Sequence, residues 1–307
     1  MGAQTCHGGP VVIMAGGTGG HVFPALAVAK VLRERGVPVV WLGVPDSMES
    51  RLVPANGFPI EWVRVRGIRG KGAAAWLAAP FRVAAAVLEA FPGSFGAGVK
   101  ARTVGNPVRA DIAGIAEPGE RFAGRTGRAR LLVFGGSQGA QRLNAAVPQA
   151  LSRLDPARRP EIRHQAGVRG IAAARAAYQG LAVEAEVLPF IDDMAAAYAW
   201  ADLALCRAGA MTIAELQAAG LGALLVPFAA ATDDHQTKNA ETMVRVGAGR
   251  VLPEAELTPE RLSADLAELT ADRARLLEMA RAARGARNVD AAARLAELCV
   301  AAGGAAA

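Results

Sequence analysis

Apolar positions along the chain fall into short runs that end in glycine-rich loops and then give way to segments with apolar residues at helical spacing. The run Val11-Val-Ile-Met-Ala15 closes in Gly16-Gly-Thr-Gly-Gly20, and an amphipathic stretch from Val22 to Arg35 follows. Such a pattern predicts strand, tight loop and helix. The same order returns at Leu131-Leu-Val-Phe134 and Gly135-Gly-Ser-Gln-Gly-Ala140. Further strands are predicted at 39–42 and 60–65, with a short helix from Ser47 between them. In the second half strands are predicted at 131–134, 162–165, 185–188, 203–206 and 223–226, with helices between, and helical patterns run from Pro259 onward with a break near Asn288. Strands alternating with helices imply parallel sheets and right-handed crossovers, so the fold class is α/β with two Rossmann-like, doubly wound domains.

Between the halves the rhythm weakens. The pattern predicts a helix ending near Glu89, leaves the first half with about four strands, and makes residues 107–130, rich in Gly, Pro, Arg and Glu, an interdomain linker. The domains are therefore expected at 1–108 and 109–290, with 291–307 a closing helix and tail that packs back on the first.

Composition narrows the classes. With 307 residues, 52% hydrophobic and 20% charged, the chain has enough apolar surface for sizeable cores. No apolar run reaches the ~18 residues of a membrane span, and the N-terminus lacks a signal-peptide pattern, so a cytoplasmic location is expected. Cys6, Cys206 and Cys299 are isolated, which argues against a disulfide framework or a zinc site, and the four histidines lie far apart. No metal and no cofactor is expected. The net charge of +6 points to an anionic partner, yet no recognisable nucleic-acid module is present, so nucleic acid is not expected to be that partner.

The glycine loop at 16–20 has the layout of a phosphate cradle: glycines let the backbone approach a ligand, and helix N-termini favour anions. It matches neither G-x-G-x-x-G nor the P-loop pattern, and a turn that merely packs helix on strand has the same composition. Arg207-Ala-Gly-Ala-Met-Thr-Ile-Ala-Glu215 again follows a strand and opens a helix. A carboxylate one turn into that helix suits a vicinal diol, as the acidic residue of dinucleotide folds suits ribose, or it complements the helix N-terminus. After the next strand, Gln236 and Asn239 offer amides to a sugar. Together these loops describe a nucleotide-sugar cleft between two domains. Arg64, Arg66, Arg69 and Lys71 precede a segment carrying Trp76, Leu77 and Phe81. That composition fits an anionic membrane surface and equally a helix covering a sheet.

Ala15-Gly-Gly-Thr-Gly-Gly-His-Val-Phe-Pro24, Gly67-Ile-Arg-Gly-Lys-Gly72, Gly105-Asn-Pro-Val-Arg109, Gly135-Gly-Ser-Gln-Gly-Ala140, Phe190-Ile-Asp-Asp-Met194 and Asp233-Asp-His-Gln-Thr-Lys-Asn239 occur in this order. Taken together they resemble the MurG family, the bacterial UDP-N-acetylglucosamine:undecaprenyl-pyrophosphoryl-muramoyl-pentapeptide N-acetylglucosaminyltransferases. The resemblance covers almost the whole chain. It implies a GT-B fold, peripheral attachment to the cytoplasmic face of the cell membrane at its anionic inner leaflet, and inverting transfer of N-acetylglucosamine from UDP-N-acetylglucosamine to lipid I, giving lipid II. It also implies that Thr18, Gly19, Gly20, Arg109, Ser137, Ile191, Ala210, Met211, Thr212, Ile213, Ala214, Glu215 and Gln236 bind the donor. Arg109 and Ser137 would serve the diphosphate, Ile191 the uracil and Glu215 the ribose. His21 stands on the acceptor side as the catalytic residue, and Arg69, Lys71, Trp76 and Phe81 touch the membrane.

One departure stands out. Family members carry a further glycine-rich strand-loop motif and a His-Glu-Gln-Asn motif between the Trp76 helix and Phe91, and neither occurs here. The shortfall is on the order of fifty residues, two strand-helix units, and it truncates the first domain. An alternative reading follows, in which the chain binds donor but transfers poorly.

Overall fold

The computed structural model describes residues 10–17, 19–62, 87–91, 101–135, 141–228, 235–288 and 290–304. The chain forms two compact units, Met1–Pro107 with Asp290–Ala307, and Val108–Val289.

The first unit is built on β1 (Val11–Ile13), α1 (Gly19–Glu34), β2 (Val39–Gly43), α2 (Met48–Ala55) and β3 (Ile60–Trp62). The strands pair in parallel in the order β1-β2-β3, with Val11 opposite Val39 and Trp41 opposite Ile60. Leu26, Ala29 and Leu32 on one face of α1 close over Val39 and Trp41, joined by Val53 and Phe58. Each of these leucine, valine and phenylalanine side chains contributes about 1.5–3 kcal/mol on burial. The last helix (Ala291–Gly304) packs on this same core through Ala296, with Leu295, Cys299 and Val300 beside it.

Two strands in this unit depart from the sequence reading. Val87–Glu89, expected at the end of a helix, forms β4 and pairs in parallel with β5 (Ala101–Thr103) in a separate two-stranded sheet. Pairing with a distant segment overrides the helix propensity of the preceding alanines.

The second unit carries a six-stranded parallel sheet. Its strands are β6 (Arg130–Phe134), β7 (Glu161–Gln165), β8 (Glu186–Leu188), β9 (Leu203–Cys206), β10 (Ala223–Leu225) and β11 (Gly249–Val251), in spatial order β8-β7-β6-β9-β10-β11. That is the doubly wound order in which the chain reverses direction after three strands, and ligands bind beyond the carboxyl ends where it reverses, here between β6 and β9. The register sets Leu131 beside Leu203 and Phe134 beside Cys206. All eight residues Leu131–Phe134 and Leu203–Cys206 are buried, as expected of strands covered on both faces. Helices α5 (Gln141–Ser152), α6 (Ile171–Gly180), α7 (Met194–Trp200), α8 (Ala210–Ala219), α9 (His235–Arg245), α10 (Pro259–Thr270) and α11 (Arg273–Gly285) follow the chain around the sheet. Asp193 caps α7, accepting from Ala196 N at 2.8 Å, and Thr258 and Asp272 cap α10 and α11 in the same way.

Residues 107–130 are not a linker. They form α3 (Ala110–Ala113) and α4 (Pro118–Phe122), bury Ile112, Ile115 and Phe122, and are fastened to the second unit by two arginines. Arg121 donates to the carbonyls of Tyr198 at 3.3 Å and Ala219 at 2.9 Å, and Arg125 to Ala201 O at 3.1 Å and to the buried Asp202. The weak periodicity came from anchoring by guanidinium groups in place of an apolar stripe. Gly220 ends α8 at φ +64°, where a Cβ would lie 2.8 Å from Pro118 Cγ. A glycine there satisfies both the left-handed cap and the close approach of α4.

On β7, His164 is 1% exposed. Its Nδ1 lies 2.9 Å from Tyr178 Oη and its Nε2 3.0 Å from Asn144 Oδ1, and the Asn144 amide donates to Ala166 O at 2.8 Å. Burial lowers the imidazole pKa to about 4.

Candidate functional site

The glycine loop of the first unit is held from beneath. Trp41, fully buried, donates its indole N–H to Ala15 O at 3.0 Å. Glu49, 2% exposed, accepts from Gly17 N at 3.0 Å and Val44 N at 3.4 Å. A Cβ on Gly16 would sit 2.4 Å from Glu49 Oε1, so glycine at 16 is what lets the carboxylate in. Burial pushes the Glu49 carboxyl up, but hydrogen bonds from its own amide, from Gly17 and Val44 and from Ser47 outweigh it, and the group sits below the usual range. The sequence read this loop as an open phosphate cradle. The structure shows one of its amides already serving an internal carboxylate, and Gly19 and Gly20 open α1, where helix amides lack intrahelical partners. Thr18 lies outside the described residues.

Beside the loop is a cavity of about 600 Å³ lined by Met14, Gly16, Gly20, His21, Glu89 and Asn106 among others. His21 is exposed, with Nδ1 3.3 Å from Gly16 O. A carbonyl only accepts, so Nδ1 is the donor here, and in the neutral ring Nε2 is then the nitrogen with the lone pair. Glu89 is 9% exposed and accepts from Thr103 Oγ1 at 2.8 Å. Sequence reasoning passed over Glu89 because it lay in a segment read as helix.

In the second unit the carboxyl edge of the sheet gathers three side chains. Glu215, on the second turn of α8, accepts from Tyr198 Oη at 2.9 Å through Oε2, while Arg109 Nε stands 3.9 Å from its Oε1. The side chains of Glu215 and Arg109 are 13% and 22% exposed. Tyr198 is fully buried, with its ring edge-on to Phe134 at 5.9 Å between centroids. Burial raises the Glu215 pKa, opposed by the Tyr198 hydroxyl and Arg109. Burial, and next the Glu215 charge, hold the Tyr198 phenol far above its ordinary value, so it stays a donor. The sequence pointed to Arg109 and Glu215; Tyr198 gave no signal.

The other expected donor residues distribute unevenly. Ala210, Met211 and Thr212 open α8 and are partly exposed, whereas Ile213 and Ala214 are buried, so the latter pair faces the core and supports the helix. Ile191, just past β8, is 8% exposed. The Gln236 carbonyl accepts from Ala208 N at 3.2 Å and Phe228 N at 3.0 Å, and the Asn239 amide donates to Ala208 O at 3.1 Å. Gln236 therefore ties the loops after β9 and β10 together, and Asn239 fastens α9 to the first of them. Ser137, Arg69, Lys71, Trp76 and Phe81 lie outside the described residues. Among the described residues no group of three or more His, Cys, Asp or Glu converges as metal ligands, and no helix is long and apolar enough to cross a membrane.

Such an arrangement of loops and carboxylate on a doubly wound sheet has known counterparts. Residues 11–95 match the glycosyltransferase family 28 N-terminal domain and residues 130–295 the glycosyltransferase family 28 C-terminal domain. A protein of Nitrosococcus oceani named UDP-N-acetylglucosamine--N-acetylmuramyl-(pentapeptide) pyrophosphoryl-undecaprenol N-acetylglucosamine transferase is 46% identical, over 94% of this chain and 98% of its own length. The protein of that name from Marinobacter nauticus is 44% identical over 94% and 96%. Acinetobacter baumannii MurG, a crystal structure, superposes with a TM-score of 0.74 at 33% identity, covering 95% of this chain and 99% of its own. The calicheamicin glycosyltransferase CalG4, 17% identical with a TM-score of 0.62, shares the fold. The alignment with the Nitrosococcus relative runs to 350 positions against the 307 residues here, so at least 43 of its positions are unfilled, in line with the internal shortfall read from the sequence. With both domains matched and identity of 44–46% to these two relatives sustained along nearly the full chain, the protein belongs to glycosyltransferase family 28, in its MurG group.

Proposed function

We propose that this chain transfers N-acetylglucosamine from UDP-N-acetylglucosamine to lipid I, producing lipid II and UDP. The observation that carries the reading is the near full-length identity to transferases of that name; nothing in the comparisons favours a donor-binding but inactive form. The C4 hydroxyl of the muramoyl sugar attacks the anomeric carbon, the new C–O bond forms as the bond to the diphosphate breaks, UDP leaves with the electron pair, and the hydroxyl proton passes to a base.

The second unit supplies groups suited to the donor. Glu215, its burial opposed by Arg109 and the Tyr198 hydroxyl, accepts the ribose hydroxyls. Arg109 and the amides opening α8 balance the charge that develops on the diphosphate. Gln236, its oxygen committed to two backbone amides, offers its Nε2 to the sugar, and Ile191 and Ser137 take the uracil and diphosphate roles that the family resemblance gives them. In the first unit His21 is the base, its Nε2 lone pair set free by the contact of Nδ1 with Gly16 O. The basic and aromatic residues Arg69, Lys71, Trp76 and Phe81 hold the protein at the anionic inner leaflet of the cell membrane, on its cytoplasmic face.

Incubation with radiolabelled UDP-N-acetylglucosamine and a soluble lipid I analogue tests the activity. Label should pass to the acceptor, and His21→Ala should lose at least ~100-fold of the rate if it is the base. Absence of transfer with purified, folded protein would overturn the reading.

A further inference from the structure

We propose that Tyr198 is a positioning residue that gives this enzyme its preference for ribonucleotide over 2′-deoxyribonucleotide donors. The proposal rests on the ribose role of Glu215 argued above. A carboxylate on a helix can rotate about its last torsion, which is broad, and reads two adjacent hydroxyls well only if its plane is fixed. Tyr198 fixes it. Its hydroxyl holds Glu215 Oε2 at 2.9 Å, and Arg109 stands near Oε1 on the other side. The phenol itself has little freedom: it is fully buried and edge-packed on Phe134, the last residue of β6. Arg121 spans the backbone carbonyls of Tyr198 and Ala219, which ties α7, carrying the phenol, to the end of α8, carrying the carboxylate. The pair thus sits at the reversal point of the sheet with both of its helices braced to each other. A buried phenol whose single hydroxyl is spent on one carboxylate oxygen has no packing need for that hydroxyl, since phenylalanine fills the same space; what the hydroxyl adds is orientation and a preference for the ionised carboxylate.

Binding of UDP and of 2′-deoxy-UDP, measured by calorimetry, tests this in the parent, Tyr198→Phe, Glu215→Ala and Phe134→Leu. The parent should favour UDP by roughly ten- to a hundredfold, the size of one charge-assisted hydrogen bond. Tyr198→Phe should cut that preference by about three- to tenfold, by weakening UDP while leaving 2′-deoxy-UDP within about twofold. Phe134→Leu loosens the same packing without touching the hydroxyl and should keep the preference. Tyr198→Phe losing affinity for both nucleotides equally, or keeping the parental preference while Glu215→Ala abolishes it, would overturn the proposal and leave the ribose reading standing. A preference that survives Glu215→Ala would instead remove the ribose reading itself, and this inference with it.

Discussion

Glu49 should be among the residues on which the first unit most depends. Replacing it with alanine leaves the amides of Gly17 and Val44 without their acceptor in a site that is 2% exposed. A buried donor left unsatisfied costs about 1–3 kcal/mol, and the 3.4 Å bond to Val44 belongs at the low end, so a loss of about 2–4 kcal/mol is expected. With a urea dependence of roughly 1–3 kcal/mol per molar, the unfolding midpoint should fall by on the order of 1 to 2 M. Trp41 is a local reporter, since its indole N–H is bonded to Ala15 of the same loop. Gly16→Ala sharpens the test: its Cβ would lie 2.4 Å from Glu49 Oε1, so it should destabilise the parent by driving the carboxylate out, and cost much less in the Glu49→Ala background. A coupling of about 1 kcal/mol or more between the two is expected of groups in direct contact. Strict additivity, or an unchanged midpoint for Glu49→Ala, would refute the clamp. The sign with pH is also fixed. The Glu49 carboxyl is held below its ordinary value of 4.5, so its contribution is complete above that pH and is lost as pH falls through the folded value; Glu49→Gln should flatten this acid limb.

Other outcomes follow from the second unit and the membrane segment. His164 is held neutral, with a pKa of about 4 against 6.5 for a free imidazole, so stability should be complete above about pH 6.5 and fall by up to ~3 kcal/mol as pH drops towards 4, read from urea midpoints through Trp200; His164→Gln should remove that slope. Arg109→Ala should weaken UDP binding about ten- to a hundredfold. It should also move the acid loss of binding to higher pH, because Arg109 is one of the two groups opposing the burial that raises Glu215; an unmoved limb in calorimetric titrations would separate Arg109 from that carboxylate. Sedimentation with anionic liposomes should decline steeply with salt, each basic residue contributing about 1 kcal/mol, and Arg69→Ala with Lys71→Ala should lower it further; indifference to salt would exclude an electrostatic anchor.

The sheet of the second unit was legible because its central strands are continuous apolar runs, such as Leu131–Phe134 and Leu203–Cys206, that run into glycine-containing loops. β11 was not, because Gly249-Arg-Val251 has a charged centre whose Arg250 is paired with Asp265 and Glu268. β4 follows an alanine-rich stretch that reads as helix, and β5, Ala101-Arg-Thr103, has a charged centre like β11. Chemistry followed the same rule. Glu215 could be picked out because a strand-loop-helix pattern places it, whereas Tyr198 and Glu49 act through contacts made only after the chain has folded: Glu49 reaches a loop 32 residues back, and Tyr198 meets its carboxylate from a different helix. Gly16 looked like a ligand-approach glycine and is one, but the group that approaches it belongs to the protein.

The packing of the last helix on α1 has a bearing on how the chain is made. Residues 290–304 complete the core of a unit whose remaining segments all precede position 108. On the ribosome the second unit has its whole sequence available first, while Leu26, Ala29 and Leu32 wait for Ala296 until synthesis reaches the final helix. The half that begins translation is thus the last to close, and a released chain that stops after residue 289 should carry a protease-resistant second unit beside a still-sensitive first one.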